Sequence, residues 1–348
     1  MNKSLPNNNS SAEQLFSFKY LFWSIALSFS GLAVVIYLTY TPGVLEHLKP
    51  KRLPGLGIAM IVVMLRIWVL AAKFRFLSDN ELSWAASFRV MFTWEFASAI
   101  MPAALGGTAL ATVAMNREGV KFGKSAAVAL YGVLMDQILI VILIPLLLFA
   151  GLHLDIIPDQ YGMVGEASMI FIYVMLLAHA GVLTYGVLVN PAALKVFLKK
   201  LFKYKFLKRF RNKVYEEAEY LEDSSHELKK KPASFLIKAF LYSVLAWTLR
   251  ASIPTIVILS LLPANELLSF VRSMAMHLAF MIVPTPGGSG GLEGLFAVFQ
   301  GPLIEREAFI GLAVFAWRII GYYMTAALGM MAASWYVNQK VVHIADNH

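Results

Sequence analysis

Cysteine is absent from the chain, and with it go disulfides, thiol nucleophiles and thiolate metal sites. Charge is scarce. Only 15% of the 348 residues are Asp, Glu, Lys or Arg while 59% are hydrophobic, too little polar surface for a soluble fold. Nucleotide signatures are lacking as well. Gly119-Val120-Lys121-Phe122-Gly123-Lys124-Ser125 has three residues between its glycines where a phosphate loop has four, and no strand precedes it. Glu293 stands where a dinucleotide fingerprint needs its last glycine, and His226-Glu227 lacks the second histidine of a zinc-protease motif. No Ser/His/Asp or His/carboxylate cluster has a recognisable spacing. These absences leave no catalytic residue, cofactor or metal to expect, and the chain reads as a non-enzyme. Any driving force is an ion gradient, the membrane potential or the substrate's own gradient.

What is present is long apolar sequence. Stretches of about 20 apolar residues, enough to cross a hydrocarbon core, lie at 20–40, 55–77, 125–150, 167–189, 235–261 and 307–337. The first is longer than a signal-peptide core and is expected to stay as a helix. The fold class is therefore all-α, a polytopic membrane protein of about six full spans. Net charge is +9, but nine Lys or Arg fall between Lys195 and Lys213, so the excess is local and no nucleic-acid partner is expected. That run alternates Leu194, Phe197, Leu198 and Leu201 with Lys195, Lys199, Lys200 and Lys203. The pattern suits a helix on the anionic inner leaflet and equally a solvated run that fixes topology.

Basic residues mark cytoplasmic loops. The 195–213 run and Lys229-Lys230-Lys231 place 190–233 inside as a basic, amphipathic helical insertion, and the acidic loop with Asp155, Asp159 and Glu166 falls outside. Lys73, Arg75, Arg117, Lys121 and Lys124 then mark inner loops, provided that 85–116 enters and returns on one face. The loop with Lys49, Lys51 and Arg52 violates the rule. Both termini come out cytoplasmic, with 1–14 a disordered tail. The units 15–165 and 166–340 share one plan, spans around a re-entrant hairpin at 85–116 or 266–300, in opposite orientation.

Two breaks carry the repeat, Pro102-Ala103-Ala104-Leu105-Gly106-Gly107 and Pro284-Thr285-Pro286-Gly287-Gly288-Ser289-Gly290-Gly291. The same 184 residues separate Pro102 from Pro286, Gly106-Gly107 from Gly290-Gly291, and Arg66 from Arg250. Ser87-Phe88-Arg89 answers Ser269-Phe270-Val271-Arg272, and Asp136 answers Arg318, with small slips. Proline removes a backbone donor and paired glycines weaken a helix. The hairpin tips Pro102, Gly106, Gly107, Thr108, Pro284, Pro286, Gly287 and Gly288 should therefore expose peptide groups, tolerable in lipid only where protein or a wet cavity covers them. Helix starts there favour an anion. With Arg66, Arg89, Arg250, Arg272 and Arg318 nearby, a phosphate fits.

Blander readings stand beside these. Glycine pairs also serve close helix packing. Thr108 and Glu293 can act as helix caps, and Arg89 and Arg272 can snorkel to the interface. Asp136 can be the structural partner of an arginine. Glu95 and His277 precede the first proline of their breaks by seven residues and could relay protons, though a satisfied core histidine explains His277 as well. Arg66, Arg250 and Arg318 sit well inside their spans, where an ionisable residue is a functional candidate by default.

At these residues the chain resembles the transmembrane flippase region of the lysylphosphatidylglycerol synthase family, over about 15–338. The most specific part is Pro284-Thr285-Pro286-Gly287-Gly288-Ser289-Gly290-Gly291-Leu292-Glu293, followed by Trp317-Arg318 and Gly329, and it looks like the family's Pro-Gly-Gly-x-Gly-x-x-Glu signature and later arginine. Pro102, Gly106, Gly107 and Asp136 fit more weakly. Thr108 replaces an acidic residue common after the first glycine pair, Leu110-Ala111 stand where a basic one often follows, and Gln137 replaces a common arginine. The resemblance implies a stand-alone bacterial inner-membrane protein that moves a lipid between leaflets, with membrane lipids as its partners, and does not identify the lipid; the arginines and helix starts point to a phosphate-bearing or anionic one. The same architecture also suits an ion-coupled carrier of a small soluble anion. An enzyme acting on lipid headgroups would need a nucleophile or general base that is not evident.

Overall fold

In the computed structural model the chain is helical, and the structure describes residues 18–39, 52–100, 106–158, 162–185, 190, 230–281, 283, 285 and 287–345. Pro102, Pro284, Pro286, Lys49, Lys51, Asp159, the 1–14 tail and the 195–213 run lie outside the described residues. No strand occurs among those described.

The helices are α1 (Phe18–Thr39), α2 (Pro54–Leu77), α3 (Trp84–Ile100), α4 (Gly106–Arg117), α5 (Phe122–Gly151), α6 (Gly162–Thr184), α7 (Ala233–Leu261), α8 (Glu266–Phe280), α9 (Gly291–Gln300), α10 (Ala308–Arg318) and α11 (Met324–Ala345). A π-helical segment, Ile319–Tyr323, joins α10 to α11. Four helices, α2, α5, α7 and the run Ala308–Tyr336, are long and apolar enough to cross a membrane. Within α1 and α6 the apolar stretches Phe29–Leu38 and Ala167–Val182 are shorter. The acidic loop expected around 155–166 is cut short, because α6 starts at Gly162 and takes Glu166 into helix.

α2 and α7 pack antiparallel. Gly55 near the start of α2 meets Ser260 near the end of α7, where a Cβ on Gly55 would stand 2.2 Å from the serine hydroxyl. At the other end Phe76 stacks on Phe235 with centroids 4.5 Å apart. Antiparallel order in this register sets Arg66 and Arg250 level to within a turn, midway along both helices. Pro254 inside α7 leaves the carbonyl of Arg250 without its helical donor.

α3 and α4 form a pair that returns to the end where it began. Arg89 early in α3 grips Glu118, just past α4, through two bonds of 2.7 and 2.8 Å. α8 and α9 do the same: Ser269 early in α8 and Ser273 midway along it bind Gln300 at the end of α9, and Arg272 donates to the Phe299 carbonyl. At roughly 1.5 Å per residue neither member of a pair spans a full hydrocarbon core alone. Glu118 precedes α5, whereas Asp155, the carboxylate on Arg272, follows it. The open ends of the two pairs therefore lie at opposite ends of the 30-residue helix α5.

A polar tie closes the end where α2 stops and α5 and α7 start. Asp79 accepts from Lys231 at 2.7 Å and Lys124 at 3.2 Å. Burial raises the Asp79 carboxyl, but hydrogen bonds and charge from Lys231 and Lys124 outweigh it and hold the group below the ordinary carboxylate range. A depressed folded value stabilises above the unfolded value of about 3.9 and is lost as pH falls through the folded one. Asp79→Asn is expected to lower stability at pH 7 by less than about 1 kcal/mol, since the pair is partly solvated. That deficit should vanish once the pH has fallen through the folded value, below the ordinary carboxylate range. Thermal unfolding of both proteins across pH checks this, and a deficit independent of pH would refute it.

Candidate functional site

The second break is built around a buried ion pair. Gly287, Gly288 and Gly290 all have positive φ, 58°, 65° and 83°, which glycine adopts without the Cβ penalty. They turn the chain into α9, where Glu293 in the first turn reaches back to accept from the Gly290 N–H at 2.9 Å. The same carboxylate receives Arg318 from the end of α10, Nε at 2.9 Å and Nη2 at 2.8 Å. Arg318 and Glu293 are 2% and 0% exposed, so the pair is sealed from solvent. Capping and ion pairing are thus one arrangement, with Arg318 spread over Tyr322 at 4.8 Å.

The second break meets the end of α3. Tyr322, in the π segment, donates to the carbonyl of Ala99 at the end of α3, 3.1 Å away. A Cβ on Gly287 would lie 2.5 Å from that hydroxyl and 2.9 Å from the Ala99 carbonyl. The extra residue of a π turn rotates the helix beyond it, and such turns recur at functional positions. α1 covers this junction, since a Cβ on Gly31 would stand 2.7 Å from the Gly290 Cα, and Phe29 stacks on Tyr323.

Deeper between α2 and α7 lies a charged group. Arg66 donates to Glu95 of α3 at 2.7 Å. Lys73 is wholly buried and donates to Asp136 at 2.7 Å and to the Gly132 carbonyl at 2.8 Å. Arg250 lies within electrostatic reach of Arg66, Glu95 and Asp136, and His277 within reach of both arginines. His277 Nδ1 faces the Ser273 carbonyl at 2.7 Å, and its ring meets Trp317 edge-on. Among the described residues Arg250 has no carboxylate within salt-bridge distance; its contact is the face of Trp247, 5.7 Å away.

The sequence-derived candidates fall into three places. Arg66, Glu95, Asp136 and Arg250 gather between the central spans. Glu293, Arg318, Gly287 and Gly288 form the second break. Arg89 and Arg272 stand at the open ends of the helix pairs, Arg89 on Glu118 and Arg272, 1% exposed, on Asp155 and two carbonyls. Gly107 packs against Trp94 and Ser98, and Thr108 accepts from Thr112 at 2.9 Å within α4, which starts at Gly106.

Lys73 is not an inner-loop cation: it lies inside α2 as the partner of Asp136, the place left to an arginine. A lysine four residues from the end of an apolar helix looks like a loop marker, and only the position of Asp136 distinguishes the two. Tyr322 is a site residue that no motif in the sequence marks. Its sole signal is its place four residues after Arg318.

The family model described as lysylphosphatidylglycerol synthase TM region matches residues 21–329. No curated protein matches the chain.

Proposed function

Because the chain belongs to the lysylphosphatidylglycerol synthase TM region family, whose members are membrane proteins linked to lipid handling, we propose that it moves a phosphate-bearing or anionic lipid between leaflets. It acts as a flippase or scramblase and not as an enzyme. The headgroup crosses through a polar path near the midplane while the acyl chains stay in the bilayer. Six spans and two re-entrant hairpins, α3/α4 and α8/α9, form an inverted repeat in this reading. Its support is the antiparallel pairing of α2 with α7 and the opposed open ends of the two helix pairs. Both termini face the cytoplasm of a bacterial inner membrane, and 195–213 rests on the anionic leaflet.

The observation that carries the reading is the charge between α2 and α7. An arginine at mid-span costs roughly 2.5–3.5 kcal/mol or more, and a fold retains it where it serves a substrate. Arg66 and Glu95 stand beside the path, the buried Arg318–Glu293 pair braces the second break, and Arg250 faces the headgroup. Reconstitution tests this directly. Vesicles with acyl-chain NBD-labelled phospholipids are treated with external dithionite. Inner-leaflet fluorescence survives in protein-free vesicles and should be lost in those with the protein. Equal survival in both, for anionic and zwitterionic probes alike, would reject the function.

A further inference from the structure

Resting on that reading of the site, we propose that the lipid moved carries one net negative charge at its headgroup, a phosphodiester without an ammonium, and that Arg250 receives it. The inference comes from pairing. Every interior carboxylate among the described residues already holds a cation: Glu95 has Arg66, Asp136 has Lys73, Glu118 has Arg89 and Glu293 has Arg318. None is free for an ammonium. An amino-acylated or zwitterionic headgroup would bring one into a place where it finds no partner, and unpaired buried charge is selected against.

The cations are not fully matched. Between the central spans stand Arg66, Lys73 and Arg250 against Glu95 and Asp136, which leaves one positive charge among these five groups. The surplus falls on Arg250, which has no carboxylate within salt-bridge distance among the described residues and stays partly accessible although its neighbour Ala251 is buried. A monoanion cancels it; a dianion overcompensates. Gln137, beside Asp136, is 2% exposed, and its Oε1 has no hydrogen-bond partner among the described residues. An acceptor of that kind takes a hydroxyl donor without asking for charge.

Native mass spectrometry of the purified full chain tests this. The protein is offered equal amounts of phosphatidylglycerol, phosphatidylcholine, lysylphosphatidylglycerol and, at a pH where it is dianionic, phosphatidate. Phosphatidylglycerol should be retained about tenfold over the two ammonium lipids, the ratio that one ion pair's energy supplies. Arg250→Gln should erase that preference and Arg250→Lys preserve most of it. Glu95→Gln releases Arg66 and should shift retention toward phosphatidate, which gives a second readout should Arg250→Gln fold poorly. Equal retention of all four lipids by the parent, or lysylphosphatidylglycerol retained best, overturns the inference. The vesicle assay, repeated with each headgroup, separates the two ideas. Charge-selective binding without leaflet exchange sinks the transport reading alone, and exchange without charge preference sinks this one alone.

Discussion

Glu293→Ala is expected to destabilise the protein by about 3–5 kcal/mol, because it strands Arg318 unpaired in a sealed interior. The guanidinium gives up water for two carboxylate oxygens and two glycine carbonyls at 3.4 Å. Without the carboxylate those carbonyls cannot offset a full charge. The Gly290 N–H loses its acceptor too, which adds roughly 1 kcal/mol at a helix start. Glu293→Gln keeps an oxygen for that N–H but not the charge, so it should fall between alanine and the parent. Glu293→Gln combined with Arg318→Met removes both charges and should recover most of the loss, since breaking a buried pair costs far more than replacing it. Heating in detergent followed by size exclusion ranks the four proteins. Glu293→Ala as stable as the parent would mean that the pair is not sealed as described.

Gly287→Ala should be nearly as damaging, and for a separate reason. At a φ of 58° a side chain costs roughly 1–2 kcal/mol in backbone terms. The new methyl also meets the Tyr322 hydroxyl at 2.5 Å and the Ala99 carbonyl at 2.9 Å, the second of which is backbone and cannot swing aside. The second break and the end of α3 would be pushed apart where they touch, so leaflet exchange should fall more steeply than stability. Tyr322→Phe removes the nearest atom at the cost of a bond to Ala99, about 1 kcal/mol. The double variant should then lose less than the two single losses added together, a coupling that neighbours show and distant sites do not. Strict additivity in exchange rate would show that the second break and α3 are not coupled through Tyr322.

How much of this could be read from the chain differs by residue. The long spans were legible, because 20 apolar residues in a row have few other uses. α2, α5 and α7 agree with expectation to within about three residues at each end. Arg66 and Arg250 could be paired from their equal offset. Their common level, however, follows from helix direction, which spacing alone leaves open. The π turn at Ile319–Tyr323 left no trace, since one extra residue per turn changes no composition. Gly31 was equally silent, one glycine in an apolar helix, although it is where α1 approaches the second break. Lys73 was misread because a buried lysine and a loop lysine are the same letter until the partner's position is known.

The pairing of α2 with α7 also sets a timetable. About 150 residues separate them, so at roughly 5–20 residues per second the ribosome needs on the order of ten seconds to supply the second helix after the first. Throughout that wait α2 and α5 sit in the bilayer with half of a finished interface, Arg66 and Lys73 held only by what the amino-terminal half provides. A message cut after α5 should yield a chain that inserts but is cleared by membrane proteases, and co-expression of the missing half should rescue it.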